Sequence, residues 1–159
     1  MNAFFHNYCI QGYESWVKCE NKDEFDWANQ SRIVDYITAT NKSLKHSSPW
    51  VDVDVVYVPV CHADRSHWLL LLVNIRERSI TIYDSMSENK YHRQMVTAHV
   101  QKLAEFIPLA LCFLHAFDRL GIEDTSSAKF KVGTAVNMPK QGNWYVYSYM
   151  FNITNNTKI

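Results

Sequence analysis

Three apolar runs rich in β-branched residues, over about 53–60, 68–73 and 79–83, constrain this chain more than any other feature. In the first, Val53, Val55, Tyr57 and Pro59 alternate with Asp54, Val56, Val58 and Val60, which suits a strand. The second is almost wholly apolar, as expected of a strand buried on both faces. Cys61 to Ser66 reads as a polar turn between them. Arg76-Glu77-Arg78-Ser79 reads as a charged hairpin turn, after which Ser79 to Tyr83 returns as the third strand. Connections this short join only antiparallel neighbours, so the expectation is an antiparallel meander.

Helices surround this sheet. Residues 1–30 have weak periodicity and read as irregular or short helical structure. Arg32 to Thr40 places Ile33, Val34 and Ile37 on one face, with Ser31 able to cap the helix. Residues 41–49 read as a loop. Val96, Val100, Leu103, Ala104 and Ile107 form the stripe of a half-buried helix over about 89–107. Pro108 should interrupt it, leaving a second helix over 109–120 stopped by Gly121. A polar loop over 123–128 and a strand over 131–136 follow, and the residues after Phe151 form a polar tail. The sum is an α+β fold, a small and mainly antiparallel sheet packed with helices.

The bulk properties exclude several classes. The chain has 159 residues with 47% hydrophobic content, enough for one globular domain with a real core. Sixteen basic and sixteen acidic residues cancel, so no overall field draws it to nucleic acid or an anionic membrane. Cys9, Cys19, Cys61 and Cys112 are scattered, without CxxC or zinc-type His/Cys spacing, and read as reduced thiols of an intracellular protein. The N-terminus lacks the basic and apolar regions of a signal peptide, so the four Asn-x-Ser/Thr sequons, at Asn29, Asn41, Asn152 and Asn155, read as chance matches. The most apolar window, 109–120, is too short to span a membrane. No metal or cofactor is expected.

The chemistry-bearing residues are His67, which opens the second strand, and Asp84, which closes the third. In a meander turning near residue 77 they lie roughly opposite each other. A carboxylate there can accept from one imidazole nitrogen and fix the tautomer, leaving the other nitrogen as a base. A capping His and a turn Asp would look the same from spacing alone.

The wider pattern is more specific. Val56-Tyr57-Val58-Pro59-Val60, then Ser66-His67-Trp68-Leu69-Leu70, then Ile80-Thr81-Ile82-Tyr83-Asp84-Ser85 resembles the ubiquitin-like-protein (SUMO-type) cysteine protease family, in its plant and transposon-derived branch. The resemblance runs through about residues 49–151. It divides the chain into a flanking segment of the same domain (1–48), an incomplete peptidase domain (49–151) and a tail (152–159). It implies a papain-like cysteine protease fold with His67 as general base, Asp84 as its orienter and Trp68 lining the channel for a substrate's Gly-Gly tail. Pro139-Lys140-Gln141 resembles the segment bearing the oxyanion-hole Gln, which makes Gln141 the candidate. The implied partner is a SUMO-type ubiquitin-like protein or its conjugates, and the implied location is the nucleus or cytoplasm.

The pattern then breaks. In the family a nucleophilic Cys follows the Gln by six residues, inside Asp-Cys-Gly at the start of a long helix. Here that position is Tyr147, and Asp-Cys-Gly occurs nowhere. Residues 145–150 resemble those that normally come after Cys-Gly, so the reading is a local loss of a short segment with the nucleophile in it. The chain stops eight residues after Phe151, so the central helix is expected to be short and the fold truncated at its C-terminus. Ser148 is a weaker nucleophile in a stretch of uncertain register. Cys61 sits on the wrong side of the base, and Cys112 lies in an apolar helix where burial opposes thiolate formation. The expectation is a family member whose hydrolysis of the bond after Gly-Gly is lost. The alternatives are an inactive binding module for ubiquitin-like proteins and a truncated relic without function.

Overall fold

One face of the meander is an unbroken row of paired aliphatic side chains, and the helices pack against it. The computed structural model describes residues 4–40, 48–62, 67–86 and 89–136. β1 (Val55–His62), β2 (His67–Asn74) and β3 (Ser79–Tyr83) are consecutive antiparallel neighbours. Their register pairs Val56 with Val73, Val58 with Leu71 and Val60 with Leu69, then Leu71 with Ile82 and Val73 with Ile80. All eight of these side chains are buried. Cross-strand partners share a face, so the period-2 pattern alone collects them on one side. Among the described residues β1 is an edge strand, a position that tolerates Pro59.

A fourth strand, β4 (Lys131–Thr134), adds to β3 in parallel, making the sheet mixed with order β1-β2-β3-β4. Arg78 anchors this addition. It occupies the left-handed region (φ 52°) in the β2–β3 turn, and its guanidinium donates to the carbonyls of Asp124, Ser126 and Ala128. The same group lies over the Phe117 and Phe130 rings. Its own carbonyl accepts from the Lys131 N–H at 2.9 Å, which starts the β4 ladder.

The helices differ from the sequence-based expectation in three places. Residues 5–18 form a continuous helix, α1 (Phe5–Lys18), rather than irregular structure. The helix α2 (Ser31–Ile37) begins at Ser31, so Ser31 is its first residue and not its cap. Most notably, α3 (Lys90–Phe113) runs straight through Pro108. Proline at 108 removes the hydrogen bond that the Ala104 carbonyl would have accepted. The backbone N–H of Phe130 supplies the replacement at 2.9 Å, so the expected break does not occur. The helix ends instead where His115 turns left-handed (φ 52°), and only a one-turn helix, α4 (Ala116–Arg119), precedes Gly121. β1 also extends through His62, into what read as a turn.

α1 lies alongside α3 in the same direction. Tyr13 Oη donates to Glu105 at 2.8 Å, and Lys102 bonds Glu14 at 3.1 Å. Phe5 on α1, Ile33 and Ile37 on α2, and Val96 to Leu111 on α3 join the sheet face in one hydrophobic core. The residues expected to carry the polar tail and the stretch after Gln141 lie outside the described residues.

The α1–α3 approach depends on Gly12. A Cβ there would stand 2.6 Å from two carbons of the buried Phe106 ring and 2.8 Å from Gln30 Oε1. Alanine gains about 1 kcal/mol of helix propensity over glycine, whereas overpacking costs about 1–3 kcal/mol. Gly12→Ala is therefore expected to lower stability by about 1 kcal/mol, a Tm loss of ~2–4 °C by calorimetry. A raised Tm would show that α1 and α3 do not approach this closely.

Candidate active site

Three apolar stripes converge at one end of the core, and each terminates in a polar side chain. On β2 the stripe Val73-Leu71-Leu69 continues to His67, and on β3 the stripe Ile80-Ile82 continues to Asp84. On α3, Val100 and Val96 lead back by one further turn to His92. The three side chains meet. His67 Nε2 lies 2.7 Å from Asp84 Oδ1, and His92 Nε2 lies 2.9 Å from Asp84 Oδ2. The backbone N–H of Met86 donates to Asp84 Oδ1 at 2.8 Å. The two imidazoles stand edge to face with centroids 4.8 Å apart.

The local sequence explains each position. Carried one residue past β3, the register sets Asp84 diagonally across from His67 on the same face. Asn89 caps α3 by accepting from the His92 N–H at 3.0 Å, which fixes where the first turn starts and hence where His92 points. Asp84 is 2% exposed, and the His67 and His92 side chains are 10% and 12% exposed. Burial alone would raise the Asp84 carboxyl pKa. The hydrogen bonds from His67 and Met86 and the nearby imidazoles outweigh burial, holding it below the ordinary carboxylate range. An ionised carboxylate only accepts, so each imidazole presents an Nε2–H to it. For His67 this leaves Nδ1 as the nitrogen that a base would use.

The structure brings together His67 and Asp84, which the sequence pattern placed opposite each other, and adds His92, which it did not single out. The signal was present: His92 lies four residues before Val96, on the same helical stripe. Trp68 is half-buried on the other face of β2, where Cys61 is its cross-strand partner. Gln141 lies outside the described residues. β4 does, however, leave the sheet beside Ile82, whose carbonyl accepts from the Ala135 N–H at 2.8 Å, and so at the end of the sheet where Asp84 sits.

No described thiol is placed to react with His67. Cys61 pairs with Trp68 whereas His67 pairs with His62, so Cys61 and His67 project to opposite faces of the sheet. Cys112 lies twenty residues beyond His92 on α3, ~30 Å along the helix axis. Burial pushes its pKa up, and its Sγ donates to the Thr125 carbonyl at 2.9 Å. Cys9 is fully buried in α1, which raises its pKa strongly. Cys19, just past the end of α1, donates to the Asn21 carbonyl at 3.0 Å.

The sequence profile of the Ulp1 protease family, C-terminal catalytic domain, matches residues 1–145. The chain belongs to the Ulp1 protease family. The match starts at residue 1 and so takes in the N-terminal stretch that carries no recognisable motif. A search of curated proteins finds no significant match. Among solved structures the chain is similar to SUMO protease Ulp1 with its catalytic cysteine oxidised to a sulfonic, a sulfenic or a sulfinic acid. The sequence identities are 12%, 12% and 13%, and the TM-scores 0.43, 0.41 and 0.42. These alignments cover 97–98% of this chain and 64–65% of those. The chain thus spans just under two thirds of their length.

The depressed carboxyl has a direct consequence for stability. A carboxylate whose folded pKa lies below its unfolded value, about 3.9, stabilises the fold above that value and loses its contribution as pH falls through the folded one. Asp84→Asn is expected to cost about 1.5–3 kcal/mol at neutral pH, the worth of hydrogen bonds to a charged group. It should also flatten the loss of stability below about pH 4. Denaturant midpoints measured from pH 7 down to pH 2 check both, and an unchanged acid limb would mean that Asp84 is not ionised in the fold.

Proposed function

We propose that this member of the Ulp1 family keeps the base and its orienter but has lost covalent hydrolysis. In this reading the ancestral activity is cysteine-type cleavage of the bond after the Gly-Gly tail of a SUMO-type protein. His67 Nδ1 would accept the nucleophile's proton, and Asp84 would hold the ring through Nε2. The observation that carries the reading is the buried His67–Asp84 pair with Cys61, the cysteine of the described sheet, on the opposite face. The sequence supports it: no Cys follows Cys112, and Tyr147 stands where the family places its nucleophile. Without a thiolate there is no acyl-enzyme route, and a base with its orienter cannot replace one. Gln141 is assigned as the remnant of the oxyanion donor. The His-Trp and Tyr-Asp-Ser pattern favours the plant and transposon-derived branch, and the reduced thiols fit an intracellular setting.

A second reading is favoured by Trp68. It follows His67 in β2, is half-buried on the strand's other face, and is the aromatic that would grip an extended Gly-Gly tail. The chain would then bind a ubiquitin-like protein without cleaving it.

Incubation with a fluorogenic SUMO-type substrate and a vinyl-sulfone trap tests the first reading. The expected result is no turnover and no covalent adduct. An adduct abolished by His67→Ala would overturn it. Titration with the SUMO-type protein then tests the second: Trp68→Ala is expected to weaken binding about tenfold, or ~1.4 kcal/mol. No measurable affinity in the parent chain would leave the relic as the correct description.

A further inference from the structure

The arrangement at Asp84 is more than a catalytic dyad, because a second imidazole from another element is aimed at the same carboxylate. His67 comes from the start of β2, Asp84 from the end of β3 and His92 from the first turn of α3. One donor atom from each lies within 4.8 Å of the other two. All three side chains are nearly buried. We propose that His67, Asp84 and His92 form a binding site for Zn²⁺, with two imidazole nitrogens and one carboxylate oxygen as ligands and the fourth position open to water.

The donor chemistry selects the ion. Two imidazoles and one carboxylate suit zinc and its borderline neighbours, and disfavour Ca²⁺ and Mg²⁺, which require oxygen shells. Three protein ligands with an open fourth position is the pattern of an accessible zinc site rather than a closed structural one.

The three donors surround one point, and binding needs a local adjustment of their spacing. With bonds of ~2.0–2.1 Å, a tetrahedral ion sets its donors ~3.3 Å apart. The two bonded N···O pairs, one to each carboxylate oxygen, stand at 2.7 and 2.9 Å and open by roughly half an ångström, while the widest pair of donor atoms, within 4.8 Å, closes toward the same spacing. Each ligand sits at the end of its element, where a side-chain rotation can supply this. The protons balance without net release from the neutral rings. Each imidazole shifts its proton from Nε2 to Nδ1, and the freed Nε2 lone pair binds the ion. With the ion bound, Nδ1 of His67 carries a proton and cannot act as a base. The site does not rest on the reading of the chain as an inactive peptidase, because it is read out on the ion itself.

Titration of the full chain with Co²⁺, followed by displacement with Zn²⁺, tests the site. The expected result is one equivalent of Co²⁺ with the visible absorption of a four-coordinate ion and no thiolate-to-cobalt charge-transfer band. His92→Gln, which keeps an amide near Asp84, should weaken Co²⁺ affinity at least tenfold. Cys61→Ser and Cys19→Ser should leave it unchanged. Absence of stoichiometric binding, a thiolate band, or unaltered affinity in His92→Gln would each overturn the proposal. Should that variant fail to fold, imidazole resonances of the parent chain decide. Zn²⁺ should shift His67 and His92 among the seven histidines, and perturbation of any other pair would overturn the site.

Discussion

The packing of one sheet face against the helices is the constraint from which the rest of the structure follows. Val56, Val58 and Val60, Leu69, Leu71 and Val73, and Ile80 and Ile82 form that face, and all are buried. Each such side chain contributes about 1.5–3 kcal/mol on burial. A one-residue slip in register would expose the whole set, so the register is strongly specified. That specification is what places His67 and Asp84. Each is the next residue of its own stripe, past the last aliphatic one, and the same alternation that buries the core brings the two together.

His92 extends the same logic to the helix layer. The stripe of α3 closes on His92 as those of β2 and β3 close on His67 and Asp84, so all three stripes end in polar groups at one corner. A carboxylate 2% exposed needs partners, and it receives one from each imidazole and one from the Met86 backbone. Asp84 thereby joins sheet to helix through ionic hydrogen bonds in addition to the apolar contact. Such a cluster can hold a base in one tautomer, and its donor atoms are also the set that a zinc ion takes. The two uses exclude each other at His67, because each demands the imidazole proton on a different nitrogen.

Sheet topology places Cys61 and Cys112 in a way that proximity in the sequence does not. Cys61 is only six residues from His67, yet the β1–β2 register sends the two to opposite faces. Cys112 shares α3 with His92 but lies at the far end of it. The family match spans residues 1–145, whereas hydrolysis by a cysteine mechanism rests on a single sulfur atom in the right place.

The sequence by itself determined the meander, the α+β class, the stripe of α3 and the His67–Asp84 pair. Period-2 and period-3.6 patterns report which face is buried, and that is local information. Three features were decided only by tertiary structure. Pro108 reads as a helix breaker, but the Phe130 N–H, twenty-two residues away, satisfies the Ala104 carbonyl that proline strands. The parallel addition of β4 depends on Arg78 holding three carbonyls of the preceding loop. His92 is one more polar residue at a helix start until α3 docks and turns it onto Asp84. In each case the deciding partner is distant in the chain, and a hydrogen bond between distant residues leaves no periodic trace in the sequence.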